Sequence, residues 1–338
     1  MDLTDAEIEE LLALRALGII DADDDRLLTE ALDERPNLNR LLADMEAALV
    51  ALDHRLSATP PPDLRRDLLA GLTMESHAGR VIAAPVNQVF SRRVDALVEL
   101  LAELDDDAWQ APTPPYRWTV HGLVAHLAVI EDYTARQFGL ITGGPPEAEH
   151  LDLGHEDIEV ELTRSPRHTA ERWTTRARAT AAALSDSATP PDRVSLHGWP
   201  LGAHGAVVAR SFELWTHTDD IRRALGRPVT TPLPEDLRTM SSFSVQGLPF
   251  TLALTSPGAE LTPTRVVLTG PGGGTFDIGA SGGGEAPDDD ASTLIVVNVV
   301  DYCRVVARRL TIDDLDLTIT GDQTLARSLL QSSSAFAL

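Results

Sequence analysis

Lysine is absent from this chain, so all 28 basic side chains are arginine. That is the bias of a GC-rich genome and marks no site. Cysteine occurs once, at Cys303, which excludes an internal disulfide and a cysteine-rich zinc cluster and gives no sign of export. No apolar run approaches the roughly 20 residues that a membrane-spanning helix needs. The opening Met1-Asp2-Leu3-Thr4-Asp5 is acidic and has none of the features of a signal peptide, so a soluble, cytoplasmic protein is expected. Positive charge is also scarce: the formal net charge is -24, and such a surface repels phosphate backbones. Direct nucleic-acid binding is therefore excluded, whereas a basic protein partner is permitted.

What is present, in 338 residues, is enough chain for two or three domains and sizeable cores. The most informative stretch runs from Ser211 to Asp220, inside a helical run from about His204 to Leu225. Glu213 and His217 are four residues apart, which puts them one turn apart on the same face of a helix, where they can grip one ion. Val207, Leu214 and Ile221 form one apolar stripe, and Val208, Phe212 and Trp215 form another, so this helix is expected to be buried on more than one side. The pair is half a metal site. The proposed third ligand is His126, in the helical run Thr119 to Phe138. The same spacing equally suits a solvated or hydrogen-bonded pair, so spacing alone leaves both readings open. His121, five residues before His126, points away from it and is expected to be exposed. Asp219 and Asp220 read as the start of a solvated turn with Arg222 and Arg223; the alternative is that they orient a liganding imidazole.

Residues 1–72 read as short amphipathic helices. Thr4 and Glu7 have capping-box spacing ahead of Ile8, Leu11, Leu12 and Leu14. Asp21 to Asp25 reads as an acidic turn, followed by a helix carrying Leu27, Leu28, Ala31 and Leu32. A third helix spans about Leu38 to Leu56, and a fourth begins at Asp63 after Pro60-Pro61-Pro62. The order of "LLALRALGIIDADDDRLLTEAL" and "PPPDLRRDLLAGL" resembles the sigma-binding domain of anti-sigma factors, particularly the anti-sigma-K type. The resemblance implies a sigma-factor partner through residues 1–72. The His-x3-Cys-x2-Cys zinc motif of many such relatives falls here on Ala31, Arg35 and Leu38, which cannot bind that metal. The alternative is a helical appendage that packs on the rest of the chain or on a second copy.

Residues 73–86 read as a linker, and 87–228 as four helices with ordinary connections, a bundle that can place metal sites between facing helices. Thr119 is a plausible N-cap for the second of them, and Gly139 lies where a C-cap would. Residues 143–165, with His150 and His155, read as an exposed acidic loop. "RVDALVELLAELDDDAW", "RWTVHGLVAHL", "LHGWPLGAHGAVVARSFELWTHTDDIRRALGRP" and "VVLTGPGGGTFDIG" together resemble the mycothiol-dependent maleylpyruvate isomerase family. The resemblance implies a DinB-like bundle whose metal, Zn²⁺ or another divalent ion, is held by His126, Glu213 and His217, with mycothiol or a similar small thiol at the open position.

Residues 229–338 read as a small α+β domain with an antiparallel sheet, resembling the sterol-carrier-like second domain of that family. Leu233 to Leu254 reads as a helix interrupted at Gly247-Leu248-Pro249. Gly270 to Gly274 is a hairpin turn rather than a phosphate loop, because it lacks the lysine and the following helix. Cys303 reads as core. Arg304 and Arg327 are the candidates for clamping substrate carboxylates in a catalytic cleft. The expected fold is mainly α with a C-terminal α+β domain. The fusion favours a soluble anti-sigma-type regulator carrying a zinc- and thiol-binding module; the alternative is a zinc- and mycothiol-dependent isomerase or S-transferase with a helical accessory.

Overall fold

The computed structural model describes residues 8, 11–12, 15, 22–35, 38–40, 42–43, 81–113, 118–143, 156–184, 191, 193–196, 199–256, 258–279 and 291–335. Helix α1 (Ala22–Glu34) begins inside the stretch read as an acidic turn ahead of it. Its Leu28 and Leu32 pack with Ile8, Leu11, Leu12 and Leu42 around Phe250, which belongs to the C-terminal part. The third and fourth N-terminal helices read from the sequence lie largely outside the described residues, as do His150 and His155.

The bundle follows from four helices whose apolar faces share one interior. They are α2 (Val86–Ala102), α4 (Val120–Gln137), α6 (Pro166–Ala183) and α7 (Ala203–Ala224), with the short α3 (Asp106–Trp109) and α5 (Glu156–Leu162) between them. Each start has a local cause. Asp105 caps α3 through Ala108 N–H, Thr119 caps α4 by accepting from Gly122 N–H, and Ser165 caps α6 by accepting from His168 N–H just ahead of Pro166 at the first position. Helix α7 ends in a Schellman turn: Gly226 has φ +64, its N–H donates to Arg223 O at 3.1 Å, and Arg227 N–H donates to Arg222 O at 2.8 Å. Helix α5 sits within the stretch read as loop, because Ile158 and Glu161 on one of its faces are buried. A hairpin, β1 (Val194–Leu196) with β2 (Trp199–Leu201), leads into α7, and Gln137 Nε2 ties it to the end of α4 by donating to Ser195 O at 2.6 Å.

The C-terminal part begins with α8 (Pro234–Thr255), which runs unbroken through Gly247 and Pro249. Then come β3 (Thr264–Thr269), β4 (Gly274–Ile278), β5 (Thr293–Asn298), α9 (Val299–Val306), a 3-10 turn Ile312–Asp314, β6 (Thr318–Thr320) and α10 (Gln323–Ser332). The sheet order is β4-β3-β5-β6. The expected antiparallel sheet is mixed instead: β3 pairs with β4 antiparallel and with β5 parallel, Val266 lying opposite both Phe276 and Ile295. The cause is burial. The two strands richest in apolar residues, β3 and β5, take the centre with alternate residues buried, which leaves the more polar β4 and the three-residue β6 as edges. The bundle and this α+β part share one continuous apolar core. An ionic clamp joins them where Arg92 and Arg93 of α2 both reach Asp236 of α8, whose carboxylate is fully buried. No described helix is long and apolar enough to cross a membrane.

Candidate metal centre

Helices α4 and α7 bring His126, Glu213 and His217 together, so that one donor atom from each lies within 4.8 Å of the others. His126 Nε2 is 3.2 Å from Glu213 Oε1, and His217 Nε2 is 3.9 Å from the same oxygen. A tetrahedral zinc with bonds near 2.1 Å separates its ligand atoms by roughly 3.4 Å, so these donors suit such an ion in type, and the two distances to Glu213 Oε1 bracket that separation. Both imidazoles are 5% exposed. Burial pushes the His126 pKa below its ordinary value, against the opposing pull of Glu213, and so favours the neutral imidazole that a metal requires.

Each donor is held from behind. The Trp118 ring lies 4.8 Å from that of His126, centroid to centroid, and Gly122 makes room for it, since a Cβ there would stand 3.1 Å from Trp118 Cβ. Glu213 Oε2 accepts from Arg210 Nη1, which leaves Oε1 towards the imidazoles. Arg210 is itself fully buried, and its Nη2 donates to Glu131 Oε2 at 3.1 Å. His217 Nδ1 lies 3.3 Å from Asp220 Oδ2. A carboxylate there fixes the tautomer that turns Nε2 towards an ion.

Asp219 and Asp220 therefore do not form the solvated turn read from the sequence; they are 3% and 1% exposed. Asp220 also takes Arg309 Nε at 3.0 Å and Arg223 Nη1 at 3.1 Å. Burial alone would raise its pKa, but the contacts with His217 and Arg309 outweigh burial and hold it below the usual carboxylate value. Asp219 accepts from Thr230 N–H at 2.9 Å, and its pKa is raised because burial prevails over those hydrogen bonds. His121, expected to be exposed, is buried, with Nε2 3.2 Å from Thr169 Oγ1 and its ring edge-on to Trp109.

Arg304, on α9, lies 3.9 Å from Asp301, and its charge works against the burial that raises the Asp219 pKa. Arg327 is more exposed and pairs with Asp313 at 3.1 Å. Cys303 is fully buried, and burial pushes its thiol pKa well up, so it is no nucleophile. The sequence reading missed Arg210, Glu131 and Arg309. The signal for Arg210 was its place three residues before Glu213 on the same helix face; Glu131 and Arg309 left none.

The helical part is thus a DinB-like four-helix bundle with a His, Glu and His cluster between two of its helices. Residues 90–222 match the family model of the mycothiol maleylpyruvate isomerase N-terminal domain, which the bundle resembles. An uncharacterized protein of Mycobacterium tuberculosis, found in two strains, is 28% identical over 256 residues, which is 72% of this chain and 91% of that protein. The crystal structure of the mycothiol-dependent maleylpyruvate isomerase is 17% identical and covers 70% of this chain and 91% of that one, with a TM-score of 0.47. A histidine-to-alanine mutant of that enzyme is 18% identical over 69% of this chain and 91% of that one, with a TM-score of 0.45.

Proposed function

We propose that this chain is a metal-dependent enzyme that uses mycothiol or a similar small thiol to isomerise, or to become conjugated to, an electrophilic small molecule such as an unsaturated dicarboxylate. The observation that carries the reading is the convergence of His126, Glu213 and His217 within the segment that matches the family. Zn²⁺ held by these three would leave a fourth position where a thiol is deprotonated at neutral pH. The chain's own groups prepare that position. Arg210 limits Glu213 to one inward oxygen, Asp220 holds the His217 ring, and Trp118 backs the His126 ring. Arg304 and Arg327 remain the proposed carboxylate anchors, with Arg304 better supported because it is the less exposed of the two and its charge acts on Asp219.

The test is elemental analysis of the purified protein together with a thiol-consumption assay on an unsaturated dicarboxylate. Zinc near one equivalent and turnover, both lost in His126→Ala, are expected. Full metal content in that variant would sink the assignment. The regulator reading rests on the resemblance of residues 1–72 to sigma-binding domains. The packing of Ile8, Leu11, Leu12 and Leu28 around Phe250 supports an accessory helical unit instead. Co-purification of a sigma factor with the full chain would reverse that preference.

A further inference from the structure

Glu131 belongs to no ligand set, yet it is fully buried inside the bundle. Its Oε2 accepts from Arg210 Nη2 at 3.1 Å and its Oε1 from Thr180 Oγ1 at 2.6 Å. The other terminal nitrogen of Arg210 holds Glu213 Oε2. A chain of carboxylate, guanidinium and carboxylate therefore runs from the α4–α6 side of the bundle to the side chain of Glu213.

A buried carboxylate is costly, so its presence needs a reason. Without Glu131, Arg210 and Glu213 would cancel, and an imidazole carries no negative charge to attract a cation. With Glu131 the buried group carries one net negative charge. The charges on the His217 side include Asp220, paired with Arg309 and with the half-buried Arg223, and Asp219, on which Arg93, Arg223 and Arg304 act.

We propose that Glu131 is a positioning and charge-setting residue for the metal: it cancels Arg210, so that Arg210 can fix the Glu213 carboxylate without cancelling that ligand's charge. The inference rests on the reading that the site takes a divalent cation. Glu131→Gln keeps the side chain's shape and an acceptor for Arg210 but removes the charge. It is expected to weaken zinc binding by about 10- to 100-fold, the range typical of groups just behind metal ligands. The double variant Glu131→Gln/Arg210→Gln returns the buried group to one net negative charge and is expected to recover at least half of that loss on a logarithmic scale.

The measurement is zinc affinity by chelator competition, with melting of the metal-free proteins recorded alongside to separate binding from folding. A single variant that binds within roughly tenfold of the wild type, or a double variant no tighter than the single one, overturns the proposal. If the single variant does not fold, the double variant is compared with the wild type: affinity within about tenfold supports the proposal, and weaker binding overturns it. Wild-type protein that takes up no zinc removes the metal reading itself, a result distinct from either variant's.

Discussion

Asp220 joins the two halves of the molecule at the candidate site: one carboxylate meets His217 Nδ1 at 3.3 Å and, through Oδ1, Arg309 Nε at 3.0 Å. Arg309 comes from the α+β part, 89 residues further along the chain. The orientation of a proposed ligand is thereby tied to how the C-terminal part docks. Asp220→Asn keeps the shape but loses the charge that both neighbours use. It is expected to weaken zinc binding by about 10- to 100-fold and stability by about 1.5–3 kcal/mol, the worth of a hydrogen bond to a charged group. Chelator competition and denaturant unfolding check the two parts separately.

Metal binding couples to stability because the unfolded chain offers no preformed site. Free zinc at 100 times its Kd is expected to stabilise the wild type by about 2.7 kcal/mol over the metal-free protein. His126→Ala should lose that increment while unfolding cooperatively. Melting curves with and without chelator give the answer, and an equal zinc shift in the variant would contradict the ligand assignment.

The acid side of the stability curve should carry a signature of His121. Burial lowers its pKa below the ordinary 6.5, opposed only by the charge of Glu161. The fold therefore prefers neutral imidazole, while the unfolded chain takes up the proton more readily. Its contribution is complete above the unfolded pKa and is lost as pH falls from about 6.5 towards the folded pKa. His126, shifted in the same direction, adds to the trend. His121→Asn should unfold with a shallower dependence on pH between about 7 and 5 than the wild type. Denaturant midpoints across that window measure the difference, and parallel curves would show that His121 titrates alike in both states.

These contacts show what a sequence reveals and what it conceals. Glu213 and His217 share one helix, so local spacing located that pair, whereas His126, on the helix that Thr119 caps, entered the set through the family resemblance. Asp219 and Asp220 looked solvated because acidic pairs near a helix end normally are, and their burial depends on partners such as Arg309 and Thr230 in other segments. Glu131 gave no signal, because its partner Arg210 is 79 residues away. The parallel pairing of β3 with β5 was hidden for a related reason: strand order depends on which strands take the centre, and alternation along each strand does not encode that.

The clamp at Asp236 should dominate the docking of α8 on the bundle. Its fully buried carboxylate faces both Arg92 and Arg93, and Arg93 is itself only 8% exposed. Asp236→Ala leaves a buried guanidinium without its counter-charge, which typically costs about 3–5 kcal/mol. Equilibrium unfolding should show that loss, and a change below about 1 kcal/mol, as for an exposed pair, would mean that the arginines find water instead.

Cys303 separates thiol chemistry supplied from outside from chemistry carried by the chain. It is the sole cysteine, it is fully buried, and burial raises its thiol pKa far above neutrality. A thiol in that setting is neither ionised nor reachable. The folded protein should therefore resist maleimide labelling and take up one label only after denaturation, as read by intact mass. Cys303→Ala should retain thiol-dependent turnover, with at most the stability loss of a small core truncation. Turnover that needs no added thiol and disappears in this variant would move the nucleophile into the protein, and the external-thiol reading of the His126, Glu213 and His217 cluster would fall with it.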